Sequence, residues 1–192
     1  MSKRIRTFIA VAVADSVRKQ LVALQDELRD AAAVKWVEPE NLHLTLNFLG
    51  EVADTDLYAV CKTVQHAVTD VSAFTMHVSG VGAFPNARRP RVIWAGVRGG
   101  ADELTFIHDT LGELFRDQGY PGEDRAYTPH LTIGRARQPK PTPELAATLE
   151  ECATWEAGPT FVREVLVMSS QLSPAGPTYA VMGRASLAES SD

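Results

Sequence analysis

Apolar residues recur along this chain in two rhythms, every third or fourth position in some stretches and every second position in others, which separates helices from strands. The helical rhythm predicts a helix over residues 16–32 with Val17, Leu21, Leu24 and Leu28 on one face, and a second that Asp54 would cap, with the stripe Leu57, Val60, Cys61, Val64, Val68 and Val71. A third is predicted over 102–118, turning Leu104, Ile107, Leu111, Leu114 and Phe115 inward and stopping at Gly119. The fourth runs over 143–153, its start marked by Pro143 at the end of the link Pro139-Lys140-Pro141-Thr142-Pro143. Alternation predicts strands over 7–13, 35–37, 43–48, 74–81 and 91–97, another after a polar turn at 122–125, and two more near 161–169 and 179–186. The tail over 189–192 is small and polar and is expected to fray. This order permits two packed α+β lobes within one compact domain spanning 1–192.

Composition narrows the partners. Of 192 residues, 45% are hydrophobic and 22% charged, an ordinary balance for a globular protein, and 19 Lys and Arg against 24 Asp and Glu leave a formal charge of −5. That deficit argues against a general nucleic-acid coat, which needs a broad basic surface, while leaving room for one small phosphate site. No apolar run approaches the roughly 20 residues that span a bilayer, and the opening stretch reads as a strand leading to a helix, so no membrane association is expected. Cys61 and Cys152 fall on the apolar stripes of helices and read as core thiols in a reducing compartment, which makes the cytoplasm the expected location.

The chemistry lies in a pattern that occurs twice, His43-Leu44-Thr45-Leu46 and His130-Leu131-Thr132-Ile133. In a strand each His shares a face with its Thr, and the aliphatic residues take the other face. If the two strands face each other across a cleft, two imidazoles and two hydroxyls converge on a volume suited to a phosphoryl group. Phosphodiester hydrolysis needs a base for the attacking water and an acid for the departing alkoxide. Histidine serves as either near neutrality. Threonine, stiff at χ1 and at home in strands, offers a hydroxyl already oriented toward the developing charge. A single H-x-T says little, since His77-Val78-Ser79 also fits, but only the copies at 43 and 130 agree through four positions. His66 reads as part of a solvated helix face and His108 as the edge of a core stripe. Glu40 and Glu51 flank the first motif as solvated ends, and neither motif has the carboxylates or thiolates of a metal site, so no metal or other cofactor is expected.

The sequence resembles the two-histidine phosphoesterases, and within them the LigT-like RNA 2′,3′-cyclic phosphodiesterases, also called 2′-5′ RNA ligases. The resemblance runs through Arg6-Thr7-Phe8-Ile9-Ala10, Lys35-Trp36-Val37, Glu40-Asn41-Leu42 and the first motif with Asn47-Phe48-Leu49-Gly50. It continues at Gly82-Ala83-Phe84-Pro85, Pro90-Arg91-Val92-Ile93-Trp94, Pro129 with the second motif and Gly134-Arg135, and Ser170, Leu172, Gly176 and Tyr179. It implies an α+β fold built as a bilobal pseudo-twofold duplication, with antiparallel sheets lining a central cleft and helices outside. It further implies hydrolysis of a terminal cyclic phosphate to a 2′-phosphate, with His130 as base, His43 as acid, and Thr45 and Thr132 on the phosphoryl oxygens. Reversible 2′-5′ ligation is the companion activity.

Other residues are expected around that centre. Arg135, five residues past His130, is the preferred candidate to steady a phosphate oxygen, and Arg91, in a cluster with Arg88 and Arg89, is a candidate for an RNA-facing rim beside Arg137 and Lys140. Phe8, Phe48, Trp36, Phe84 and Tyr127 are candidate base-stacking faces, with Phe8 and Tyr127 preferred and Phe48 expected to be buried. The expected partner is RNA or a nucleotide ending in a 2′,3′-cyclic phosphate, bound by a monomer. Two alternatives stay open: a phosphodiesterase for 2′-5′-linked oligoadenylate or ADP-ribose cyclic phosphate, and a non-catalytic RNA- or nucleotide-binding module.

Overall fold

The two motif strands lie side by side at the middle of one curled antiparallel sheet, where its two halves meet. The computed structural model describes residues 2–29, 34–122, 126–137, 143–174 and 176–189. Its strands are β1 (Arg4–Ala12), β2 (Val34–Trp36), β3 (His43–Ala53), β4 (Phe74–Phe84), β5 (Val92–Val97), β6 (His130–Ala136), β7 (Glu156–Val162), β8 (Glu164–Ser173) and β9 (Gly176–Ser186). The helices are α1 (Asp15–Glu27), α2 (Leu57–Val68), α3 (Ala101–Asp117) and α4 (Pro143–Glu151). The strand order is β7-β4-β5-β6-β3-β1-β8-β9, with β2 also paired to β6. Four strands stand on each side of the β6/β3 junction, and the ladder crosses that junction at the pair Leu44 and Leu131.

Helices cover one face of the sheet and cross between its halves. Following β1, α1 packs on β6 and β7 of the other half; following β5, α3 packs on β3. Their buried stripes, Val17, Leu21 and Leu24 on α1 and Leu104, Ile107, Leu111 and Phe115 on α3, join Ile9, Val11, Leu44, Leu46, Leu131 and Ile133 in one apolar core. Burying such side chains contributes about 1.5–3 kcal/mol each, so the helical layer holds the halves together far more strongly than one ladder pair does. Among the described residues, no helix is long and apolar enough to cross a membrane.

Some predicted elements changed. The strand expected near 161–169 is two strands separated by Arg163, since β7 pairs with β4 in one half and β8 with β1 in the other; one connecting residue suffices because the sheet curls. Asp54 does not cap α2: it opens a 3-10 turn, Asp54–Asp56, its own backbone N–H donating to the Lys3 carbonyl. Gly119 does end α3, in the left-handed region at φ 83°. The expectations for the end of the first helix, most of the polar turn, most of the proline link and the tail fall on residues 30–33, 123–125, 138–142 and 190–192, outside the described residues.

The short strand β2 seats against β6 because Gly134 leaves space for it. A Cβ there would lie 2.6 Å from Val34 Cγ1 and 2.8 Å from Trp36 Cε3. Gly134→Ala is therefore expected to destabilise the fold by about 1–3 kcal/mol through overpacking, read as a lower urea midpoint; an unchanged midpoint would contradict this close approach.

Candidate active site

Alternation sorts the two motifs as their sequence predicts. Leu44, Leu46, Leu131 and Ile133 are at most 1% exposed on the helix-covered side, whereas His43, Thr45, His130 and Thr132 are half-buried on the open face. Because β3 and β6 are antiparallel about the Leu44–Leu131 pair, His43 and Thr132 fall on one side of it and Thr45 and His130 on the other. The strands are thus neighbours within one sheet rather than opposite walls, and the four polar side chains form a compact group.

Both imidazoles are held alike. His43 Nδ1 lies 2.6 Å from the Asn41 carbonyl and His130 Nδ1 lies 2.7 Å from the Thr128 carbonyl, in each case two residues upstream. A carbonyl only accepts, so Nδ1 carries the hydrogen and Nε2 is left to exchange a proton. The Thr45 hydroxyl donates to His43 Nε2 at 3.1 Å. Aromatic rings fix the ring planes: Phe8 and Tyr179 lie 5.0 and 5.2 Å from His43, and Phe84 and Trp94 lie 5.0 and 6.4 Å from His130. Burial pushes the His43 pKa below its ordinary 6.5; the Asn41 carbonyl opposes this, and the positive charge of Arg135 lowers it further.

Each motif strand carries a bulge just after its threonine. On β3, Ala10 pairs with Thr45 and Ile9 with Asn47, leaving Leu46 as the extra residue. On β6, Trp94 pairs with Thr132 and Ile93 with Gly134, leaving Ile133 extra. An inserted residue reverses the facing of everything after it. Arg135, which strict alternation would send inward, therefore joins the histidine face, and so does Phe48. This corrects the expectation that Phe48 is buried: it is 48% exposed, while Asn47 turns inward at 8% and donates to the His108 carbonyl.

The carbonyls at the bulges are taken up by side chains from the crossing helices. His108 on α3 donates from Nδ1 to the Leu46 carbonyl at 2.7 Å, and buried Gln25 on α1 donates to the Ile133 carbonyl at 2.9 Å and to that of Val37 at 2.8 Å. The Tyr127 hydroxyl donates to the Thr45 carbonyl at 3.1 Å, and its ring stacks on His108 at 3.9 Å.

The remaining expectations divide. Phe8 is 2% exposed and packs behind His43, so it is not a rim residue; it sits on β1 between β3 and β8. Tyr127 is engaged with His108 and the β3 backbone. Arg91 precedes β5 one residue out of phase with Val92, the partner of Arg135, so the register does not bring it to the histidines. His77 is exposed on β4, separated from β6 by β5, and His66 is exposed on α2. Tyr179 and Trp94, quoted above only for the resemblance, flank the histidines, a place that arises from strand pairing and was not expected. Among the described residues, no three His, Cys, Asp or Glu group where they could hold a metal ion.

Comparison with known proteins identifies the family and the fold. The family described as LigT like Phosphoesterase matches residues 11–94 and 96–179. The RNA 2′,3′-cyclic phosphodiesterase of Methanothermobacter thermautotrophicus is 37% identical over 180 residues, 93% of this chain and 97% of that one. A protein of the same name from Archaeoglobus fulgidus is 37% identical over 176 residues, 91% and 96% of the two chains. In structure, TT0787 of Thermus thermophilus superposes with a TM-score of 0.81 at 29% identity, over 95% of this chain and 97% of that chain. E. coli LigT, with a TM-score of 0.79 at 21% identity over 97% and 100%, shares the fold. Each matched segment holds one histidine strand, and together they take in most of the sequence: the chain belongs to the LigT-like phosphoesterase family.

Proposed function

We propose that the protein is an RNA 2′,3′-cyclic phosphodiesterase in which His130 and His43 act as base and acid on opposite sides of phosphorus. The observation that carries this reading is the pair of imidazoles on one face, each with Nδ1 bonded to a carbonyl, which fixes the tautomer and makes Nε2 the atom of each ring that takes up or gives a proton. The names of the Methanothermobacter and Archaeoglobus relatives support the substrate.

In this reaction His130 Nε2 takes a proton from water as the water oxygen bonds to phosphorus in line with the bond to O3′. That bond breaks as His43 Nε2–H protonates O3′, leaving a 2′-phosphate. Thr45, Thr132 and Arg135 meet the non-bridging oxygens. Burial makes the His43 imidazolium a readier acid, and the bound anion beside it favours the protonated form that the free protein disfavours. The proton gained by His130 and the one lost by His43 then exchange with solvent. No metal has a role in these steps. The two free cysteines support a reducing, cytoplasmic setting, and we take the working unit to be a monomer.

With EDTA present, the protein is expected to convert RNA ending in a 2′,3′-cyclic phosphate to the 2′-phosphate, identified by phosphorus NMR. His43→Ala and His130→Ala are each expected to lose about 10²- to 10⁴-fold in kcat while keeping the wild-type circular dichroism spectrum. A folded wild type that leaves cyclic phosphates intact would refute the assignment.

The proton inventory is separately testable. Burial and the Arg135 charge both disfavour imidazolium, so the Cε1 proton of His43 in the free protein should titrate with a midpoint below 6.5, and Arg135→Gln should move that midpoint upward. A midpoint at or above 6.5 in wild type would contradict the buried, cation-facing setting.

A further inference from the structure

On the open face the two halves repeat each other through histidine and threonine and then differ five residues after each histidine, where Phe48 in one half answers Arg135 in the other. Around Phe48 the open face carries an apolar row, bordered by exposed Arg6 two residues before Phe8 on β1. Phe8, Met168 and Val181 continue its row across β1, β8 and β9, with Phe48 48% and Val181 41% exposed. Around Arg135 the face is cationic. Lys35 on β2 is its cross-strand partner, so the two side chains share a face on strands about 4.8 Å apart.

Lys35 also reaches toward the β8–β9 hairpin, where a Cβ on Gly176 would lie 3.7 Å from its Nζ. The same hairpin is tied to the first motif, since Asn41 Nδ2 donates to the Pro177 carbonyl at 3.1 Å while the Asn41 backbone holds His43. Among the described residues, neither Arg135 nor Lys35 takes part in an ion pair. The bulge at Ile133 brings Arg135 to the histidine face, where its charge bears on both His43 and Tyr179, so it suits the reacting phosphoryl group; the charge of Arg6 also bears on Tyr179. Lys35 stands one strand farther out.

A cyclic phosphate ends a chain whose next phosphodiester also carries a full negative charge. That charge gains nothing over the Phe48, Met168 and Val181 row itself, with Arg6 only at its border, whereas a flexible ammonium directly beside Arg135 meets it. Resting on the cyclic phosphodiesterase reading above, we propose that Lys35, beside Arg135 and under the β8–β9 hairpin, binds the phosphodiester immediately upstream of the cyclic phosphate and so selects RNA ends over free mononucleotides. The upstream chain thereby leaves the site over β6 and β2.

The test compares kcat/KM for adenosine 2′,3′-cyclic phosphate with that for an adenylyl dinucleotide ending in the same cyclic phosphate. The upstream nucleotide is 2′-O-methylated, and the internucleotide link is either a phosphodiester or an uncharged methylphosphonate. Lys35→Gln is expected to lower kcat/KM roughly 5- to 10-fold on the phosphodiester dinucleotide and to leave the mononucleotide unchanged. The methylphosphonate should cost the wild type the same factor and Lys35→Gln nothing further, and Lys35→Arg should keep the preference. Lys62→Gln on α2, which removes an equal charge elsewhere, should match wild type. Equal losses on mononucleotide and dinucleotide, an equal loss in Lys62→Gln, or a methylphosphonate handled as well as the phosphodiester by wild type would overturn the subsite. Failure of wild type on all three substrates would instead overturn the cyclic phosphodiesterase reading beneath it.

Discussion

The junction at Leu44 and Leu131 is the constraint from which the rest of the site follows. Antiparallel pairing about these two buried leucines sends both histidines and both threonines to one face, and it does so only because the motif has the same phase in both strands. One ladder pair is a weak joint. The crossing helices make it a strong one, since α1 rises from one half to pack on the other and α3 does the converse. Each brings a polar side chain that occupies the carbonyl at the opposite half's bulge, Gln25 at Ile133 and His108 at Leu46. The Ile133 carbonyl also accepts from the Val37 N–H at 3.0 Å, and together these bonds satisfy the backbone at the bulges that bring Arg135 and Phe48 to the open face.

Symmetry and its failure divide the chemistry. Where the halves agree, the group is suited to phosphorus, which presents equivalent oxygens and two apical directions. Each Nδ1 is locked to the carbonyl two residues upstream, fixing tautomer and ring orientation together. Where the halves differ, the histidines have unlike surroundings. His43 is packed between Phe8 and Tyr179, with Arg135 nearby, and it holds its proton loosely; in the proposed mechanism that is the acid.

Much of this was legible in the sequence, and what was not has a common cause. The repeated motif disclosed the catalytic candidates because strand alternation is a local property. Phe48 was misjudged because the bulge at Leu46 changes the phase, and no turn residue or glycine at that position announces it. The two bulge anchors did leave a trace: Gln25 and His108 each sit four residues after one stripe leucine and three before the next, polar residues in apolar stripes. Tyr179 and Trp94 figured only as part of the family resemblance, and their place beside the histidines was not legible because it depends on which strands become neighbours. The single strand expected near 161–169 failed for the same reason, since its two parts belong to opposite halves of the sheet.

The central claim is that His43 protonates the leaving O3′ while His130 deprotonates the attacking water. A cyclic substrate in which sulfur replaces O3′ tests it most directly, because a thiolate leaves without a general acid. Measured as kcat/KM relative to wild type on the same compound, His43→Ala should recover most of its lost activity on the sulfur substrate and His130→Ala should recover none. Recovery in His130→Ala instead would reverse the two roles, and equal deficits in both variants on both substrates would contradict acid catalysis by either histidine.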